Sequence, residues 1–175
     1  RLSVAGAQLM ETETRTENVT KLTPGIGDTA RILGLLYLGL TAAAAAILFA
    51  MGASGLAPEM TLFDAIAHAF TAIATAGFSP RAESVGAFSP AVQWAVTLFM
   101  IVGATNFVLL YALIRGDTDR LRDSEEFHFY LGILGVGTLL VGGLLVLDQG
   151  FTGGVGATVR HAVFQTAAIV TTTGY

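Results

Sequence analysis

The sequence has no cysteine and little charge. The missing cysteine rules out a disulfide framework and a thiolate metal site. Charged residues make up 13% of the chain against 53% apolar residues, too apolar a balance for a soluble domain of this size. Charge is missing altogether from three blocks, Ile32 to Pro58, Ser84 to Ile114 and Phe129 to Leu147. Each block meets or nearly meets the roughly 20 residues that a helix needs to cross a hydrocarbon core. A net charge of −4 argues against nucleic acid as a partner. No signal-peptide pattern precedes the first block. The chain starts at Arg1 and stops at Tyr175, which leads us to expect a piece of a longer protein.

What is present is an all-α membrane pattern. Residues 1–30 are polar and of mixed sign (Glu11, Glu13, Arg15, Glu17, Lys21, Asp28), with Pro24 and Gly25 as breakers. They read as a cytoplasmic or interfacial connector. Residues 31–115 read as one membrane unit. Its first span is Ile32 to Met51, with Ala42 to Ala46 as a smooth face for a neighbouring helix. A turn and a short helix from about Phe63 to Ala74 follow, about a dozen residues, suited to a re-entrant dip and too short for a crossing. Thr61 and Asp64 stand in capping-box relation at its start. After a loop holding Arg81 and Glu83, Ser89 as cap and Pro90 at the first helical position open a second span, Ala91 to Ile114. Residues 116–127 are a mixed-charge cytoplasmic loop. Residues 128–175 form a partial second unit: a span from Phe129 to Leu147, a Gly-rich turn from Gly150 to Gly156, and a short helix opening near Thr158.

Both short helices run into the same kind of string. Thr75-Ala76-Gly77-Phe78 and Thr172-Thr173-Gly174-Tyr175 are Thr-x-Gly-aromatic, offset by 97 residues. Identity between the units is otherwise low. Lys and Arg cluster on one side (Arg1, Arg15, Lys21, Arg31, Arg115, Arg120, Arg122), leaving Arg81 and Arg160 on the other. The positive-inside rule then puts both strings toward the outer face, provided the short helices dip in and return.

Irregular backbone at membrane depth is tolerated only inside protein or against water. A cation filter uses such backbone: its carbonyl oxygens replace the hydration shell of the ion. Gly77 and Gly174 supply the φ angles that a Cβ would penalise. Thr75 and Thr172 can add hydroxyls, and Phe78 and Tyr175 can wedge the strings against neighbouring helices. Each short helix ends at its string with a partial negative charge of roughly half an elementary charge. Asp64 complements the opposite pole. No carboxylate lines either string, which favours a weakly hydrated monovalent cation, K⁺ over Ca²⁺.

The run Phe63 to Ser79, together with His161 to Gln165 and Thr171 to Tyr175, resembles the potassium-translocating subunits of the Trk/Ktr/HKT superfamily, of the TrkH type. The loop Asp123 to Phe127 is similar to the connector between units in that family, and Gly6 to Leu9 to the stretch after its first unit. The resemblance implies four span–pore-helix–span units around one pore, of which this chain would hold the second and half of the third. It implies K⁺ binding by the backbone carbonyls of Thr75, Ala76, Gly77, Thr172, Thr173 and Gly174, with Phe78, Tyr175 and Asp64 in support. Glycine at both filter positions implies K⁺ preference; serine there is associated with Na⁺ in some plant relatives. The implied activity is potassium uptake across the plasma membrane, the inner membrane of a bacterium, by a multi-pass protein. No cofactor is expected, K⁺ being the transported ion. Expected partners are membrane lipid, the remaining pore units, a second copy in a homodimer, and a cytosolic nucleotide-binding regulatory subunit. Arg115 to Glu126 and the N-terminal connector are the surfaces for that subunit.

Other readings exist for single features. His68 reads as a helix-packing histidine more than as a ligand, His161 as an outer-surface residue, and Asn106 as an interhelical hydrogen bonder. Gly52-Ala53-Ser54-Gly55 resembles the nucleophile motif of intramembrane serine proteases, but Ser54 would need His68, His128 or His161 as base. A Gly-rich turn is the better reading, and no enzyme is expected. A tetrameric channel pore is disfavoured because two differing units share one chain. A Na⁺/K⁺ transporter of the same superfamily and a non-conducting scaffold are further alternatives.

Overall fold

The structure, a computed structural model, describes residues 26–148 and 153–175. Most of the polar connector and much of the Gly-rich turn lie outside these residues. Every regular element described is helical. Helices α1 (Ile26–Ala53) and α6 (Glu125–Leu147) are each long and apolar enough to cross a membrane. Both extend beyond the expected spans at their N-terminal ends.

The residues group into two units, the first of which comprises residues 26–40 and 105–127 of those described. It contains the break of the second expected span. That run is two helices, α3 (Pro90–Ala104) and α4 (Phe107–Ile114), with Asn106 as N-cap of the latter. Asn106 Oδ1 accepts the Val108 N–H at 2.9 Å, and its Nδ2 donates to the Glu126 carboxylate at 3.2 Å. Asparagine competes for nearby backbone and so favours caps over helix interiors. It therefore starts a helix here, as well as bonding to α6. Within the mixed-charge loop lies a single helical turn, α5 (Asp119–Arg122), and an exposed Arg120–Asp117 ion pair of 2.9 Å that contributes little.

The second unit, residues 41–104 and 128–175, holds both short helices and both strings. Helix α2 (Leu62–Ile73) has the expected capping box: Thr61 Oγ1 accepts the Asp64 N–H, and the Asp64 carboxylate accepts the Thr61 N–H. Helix α7 (Val155–Val170) opens earlier than expected, with Gly154 as N-cap. Thr158 is thus inside its first turn, donating back to the Gly154 carbonyl. Helix α3 packs against both α2 and α7. Small side chains suit this packing: Ala65, Ala69 and Ala72 of α2 and Ala162, Ala167 and Ala168 of α7 are buried, as are Val92, Val96 and Met100 of α3. Gly103 on α3 meets the end of α2, where an added Cβ would come within 2.5 Å of the Ile73 carbonyl oxygen.

The start of α3 corrects one expectation. Ser89 Oγ is buried without a hydrogen-bond partner. The cap comes from farther away: Glu59 Oε1 accepts the Ser89 N–H at 2.7 Å. Pro90 is at the first helical position as expected. Outside the core, large apolar side chains such as Phe63, Phe70, Leu139, Leu140 and Ile169 are exposed. Exposure on that scale marks surfaces that face lipid or further protein.

Candidate functional site

Both strings leave their helices by the same route. Ala74 and Thr171 are the C-caps, with φ, ψ of −76°, −3° and −80°, −3°. Thr75 and Thr172 then turn left-handed at φ 51° and 59°, and Gly77 and Gly174 again at 71° and 77°. The hydrogen bonds repeat as well. Thr75 N donates to Ala72 O and Gly77 N to Thr71 O, while Thr172 N donates to Ile169 O and Gly174 N to Ala168 O. These partners are related by the same 97-residue offset as the strings. In the first copy, Ala76 N also donates to Thr71 O at 2.8 Å, which completes a Schellman closure.

That closure normally carries glycine at its left-handed position. Here a β-branched threonine occupies it twice, a genuine outlier in backbone space. Each such residue costs on the order of 1–3 kcal/mol, and strain of this kind collects at functional sites.

The strings lie against one another. A Cβ added to Gly77 would overlap the Thr173 carbonyl oxygen and come within 2.8 Å of the Thr173 carbonyl carbon. Tyr175 of the second string reaches the first helix: its hydroxyl is 2.6 Å from Thr71 Oγ1 and 3.3 Å from the His68 carbonyl oxygen. Thr171 and Thr173 join through their hydroxyls at 2.6 Å. Phe78 differs from its counterpart. It is 75% exposed, so the wedge expected of it is not formed within the described residues.

Behind the first string is a polar cluster that spacing alone did not reveal. The Arg81 guanidinium reaches back 17 residues and holds both carboxylate oxygens of Asp64, one bond at 2.9 Å. Arg81 Nη2 also donates to the Glu59 carbonyl at 3.3 Å. The Arg81 bonds hold the Asp64 carboxyl well below the usual carboxylate range, against burial, which opposes ionisation. Asp64 therefore ties the loop to the helix start in addition to complementing the dipole. His68 is fully buried, with one ring nitrogen on the Asp64 carbonyl and the other on Ser79 Oγ. Across the unit, Arg160 Nε donates to Gln93 Oε1 at 2.9 Å. Ser54 Oγ is exposed and donates to the Met51 carbonyl at 3.1 Å, as a residue of a Gly-rich turn would.

The donors available at the strings are main-chain oxygens and threonine hydroxyls, hard neutral oxygens that suit an alkali cation. Each short helix ends at its string, adding negative partial charge there.

Residues 2–153 match the family model described as TrkH, cation transport protein. The chain belongs to the TrkH family. Among its TrkH relatives, the Trk system potassium uptake protein TrkH of Salmonella typhimurium is 32% identical over 182 residues, covering 99% of this chain and 35% of the relative. The namesake from Vibrio parahaemolyticus is 34% identical over 179 residues, with coverage of 99% and 35%. The crystal structure of the potassium transporter TrkH from Vibrio parahaemolyticus superimposes with a TM-score of 0.80 at 31% identity, covering 97% of this chain and 35% of that one. The chain spans about a third of the length of these TrkH relatives, 35%. Its all-helical architecture is the TrkH fold, that of a multi-pass membrane protein.

Proposed function

We propose that the chain supplies two of the filter strings of a pore for potassium uptake. The carrying observation is the repeated left-handed threonine and glycine in two strings that touch. The carbonyls of Thr75, Ala76, Gly77, Thr172, Thr173 and Gly174 bind dehydrated K⁺ in turn. The strain at Thr75 and Thr172 is retained because it aims those oxygens. The relatives named as potassium uptake proteins support this reading.

Two strings do not close a ring. Tyr175 docks on the helix of the neighbouring string, whereas Phe78 meets no such helix among the described residues and is exposed. Further pore units supply that surface and close the pore. The assembly is a homodimer in the bacterial inner membrane, regulated by a cytosolic nucleotide-binding subunit at residues 115–126 and the N-terminal connector. It acts as a transporter and catalyses no covalent chemistry.

The test is K⁺ and Na⁺ uptake by the full-length protein in cells lacking their own potassium uptake. Gly77→Ser should erode K⁺ preference. An unchanged preference in both Gly77→Ser and Gly174→Ser overturns the filter.

A further inference from the structure

We propose that His68 is a positioning residue that holds the two strings in register at their aromatic ends. This rests on the filter reading above. His68 Nδ1 is 2.8 Å from the Asp64 carbonyl oxygen. A carbonyl can only accept, so Nδ1 carries the proton. In the neutral ring Nε2 then accepts, and its partner at 2.9 Å is Ser79 Oγ. Ser79 thus donates to the ring and keeps its oxygen free to accept the Arg81 N–H at 3.1 Å. Every proton in this chain has one direction.

The consequence is geometric. Ser79 directly follows Phe78, so the ring anchors the outgoing end of the first string. The same residue receives the end of the second string: the Tyr175 hydroxyl is 3.3 Å from the His68 carbonyl oxygen, and the two rings lie 6.0 Å apart. Phe88 packs edge-on against the imidazole with centroids 5.0 Å apart and fixes its plane. Thr71 links the strings at their helix end, through its carbonyl to Ala76 and Gly77 and its hydroxyl to Tyr175. His68 meets the same Tyr175 hydroxyl through its carbonyl and extends from there through its ring to Ser79, at the far end of the first string. A filter discriminates between ions by the spacing and field of its oxygens, so a clamp across two strings sets ion preference.

A histidine that only filled the core would affect stability alone. The clamp is tested in the full-length protein by K⁺ and Na⁺ uptake, with membrane abundance and thermal unfolding measured beside it. Ser79→Ala and His68→Phe should each lower the K⁺-over-Na⁺ ratio by roughly threefold to tenfold, the scale of one lost hydrogen bond. Ser79→Thr, which keeps the hydroxyl, should retain the native ratio. In the double variant the losses should fall short of the sum of the two single losses, because both variants remove the shared His68–Ser79 bond. If His68→Phe does not reach the membrane, Ser79→Ala decides. A native ratio in Ser79→Ala overturns the clamp while leaving the filter reading intact; a native protein that takes up no K⁺ overturns the filter reading itself.

Discussion

Gly77 has no room for a side chain because the Thr173 carbonyl of the other string occupies the space where its Cβ would stand. At Gly174 nothing among the described residues lies within 4 Å of the corresponding position. Both glycines have positive φ, so any side chain is strained at either one. At Gly77 backbone is also displaced. Gly77→Ala should therefore reduce both K⁺ uptake and thermal stability. Native uptake and native stability in this variant would contradict the contact between the strings.

Thr75 and Thr172 make the opposite experiment possible. Glycine at either position relieves a left-handed threonine. Part of the gain is offset by the greater freedom of glycine in the unfolded chain. Thr75→Gly should leave stability unchanged or raise it by up to about 1 kcal/mol, while K⁺ preference falls. Parallel unfolding and uptake measurements check this; a variant that loses stability and keeps its preference would contradict it.

Asp64 is buried and paired, and its carboxyl lies well below its ordinary value. For a depressed carboxyl the stabilisation is complete above the unfolded value and fades as pH falls toward the folded one. The stability gap between native protein and Asp64→Asn should therefore stay constant from about pH 8 to about pH 5 and narrow only below about pH 4. Chemical unfolding across that range provides the check. Arg81→Gln, which leaves the carboxylate its Thr61 bonds, should lower stability at neutral pH in the same unfolding experiment.

Gly103 is pressed against the backbone of Ile73. Backbone cannot yield as a flexible side chain would, so Gly103→Ala must push α3 away from the end of α2. Overpacking of this kind costs about 1–3 kcal/mol. The expected result is lower thermal stability and slower uptake; native behaviour in both would show that the two helices do not approach so closely.

Asn106 caps α4 through its side-chain oxygen. Asn106→Ala should cost about 1 kcal/mol, and Asn106→Ser, still a capping residue, only a fraction of that. Equal losses in unfolding experiments would assign the effect to the Glu126 bond rather than the cap.

Much of this site could be read in the chain itself, because its signals are local. The capping box at Thr61 and Asp64 needs only one helical turn, and the structure has it. The strings were visible because a repeated Thr-x-Gly-aromatic pattern is contiguous. The break at Asn106 is also legible: an asparagine inside an apolar run is a capping signal as well as an interhelical hydrogen bonder. The Ser89 cap was misplaced because Glu59, which supplies it, is 30 residues away. Arg81 seemed a loop charge for the same reason, since its partner is 17 residues back. Phe78 and Tyr175 look alike in sequence, yet among the described residues Tyr175 packs on α2 and Phe78 is exposed, because a neighbouring string's helix lies beside only one of them.

The order of amino acids alone determined that this is a helical membrane protein with two matching bends, since hydropathy and backbone preference act over a few neighbouring residues. Folding in three dimensions decided that the bends touch, that Arg81 closes on Asp64, and that His68 reaches Ser79 and Tyr175. Those contacts depend on the packing of α2 and α7 around α3, and nothing within a short window of sequence encodes how close two distant helices come.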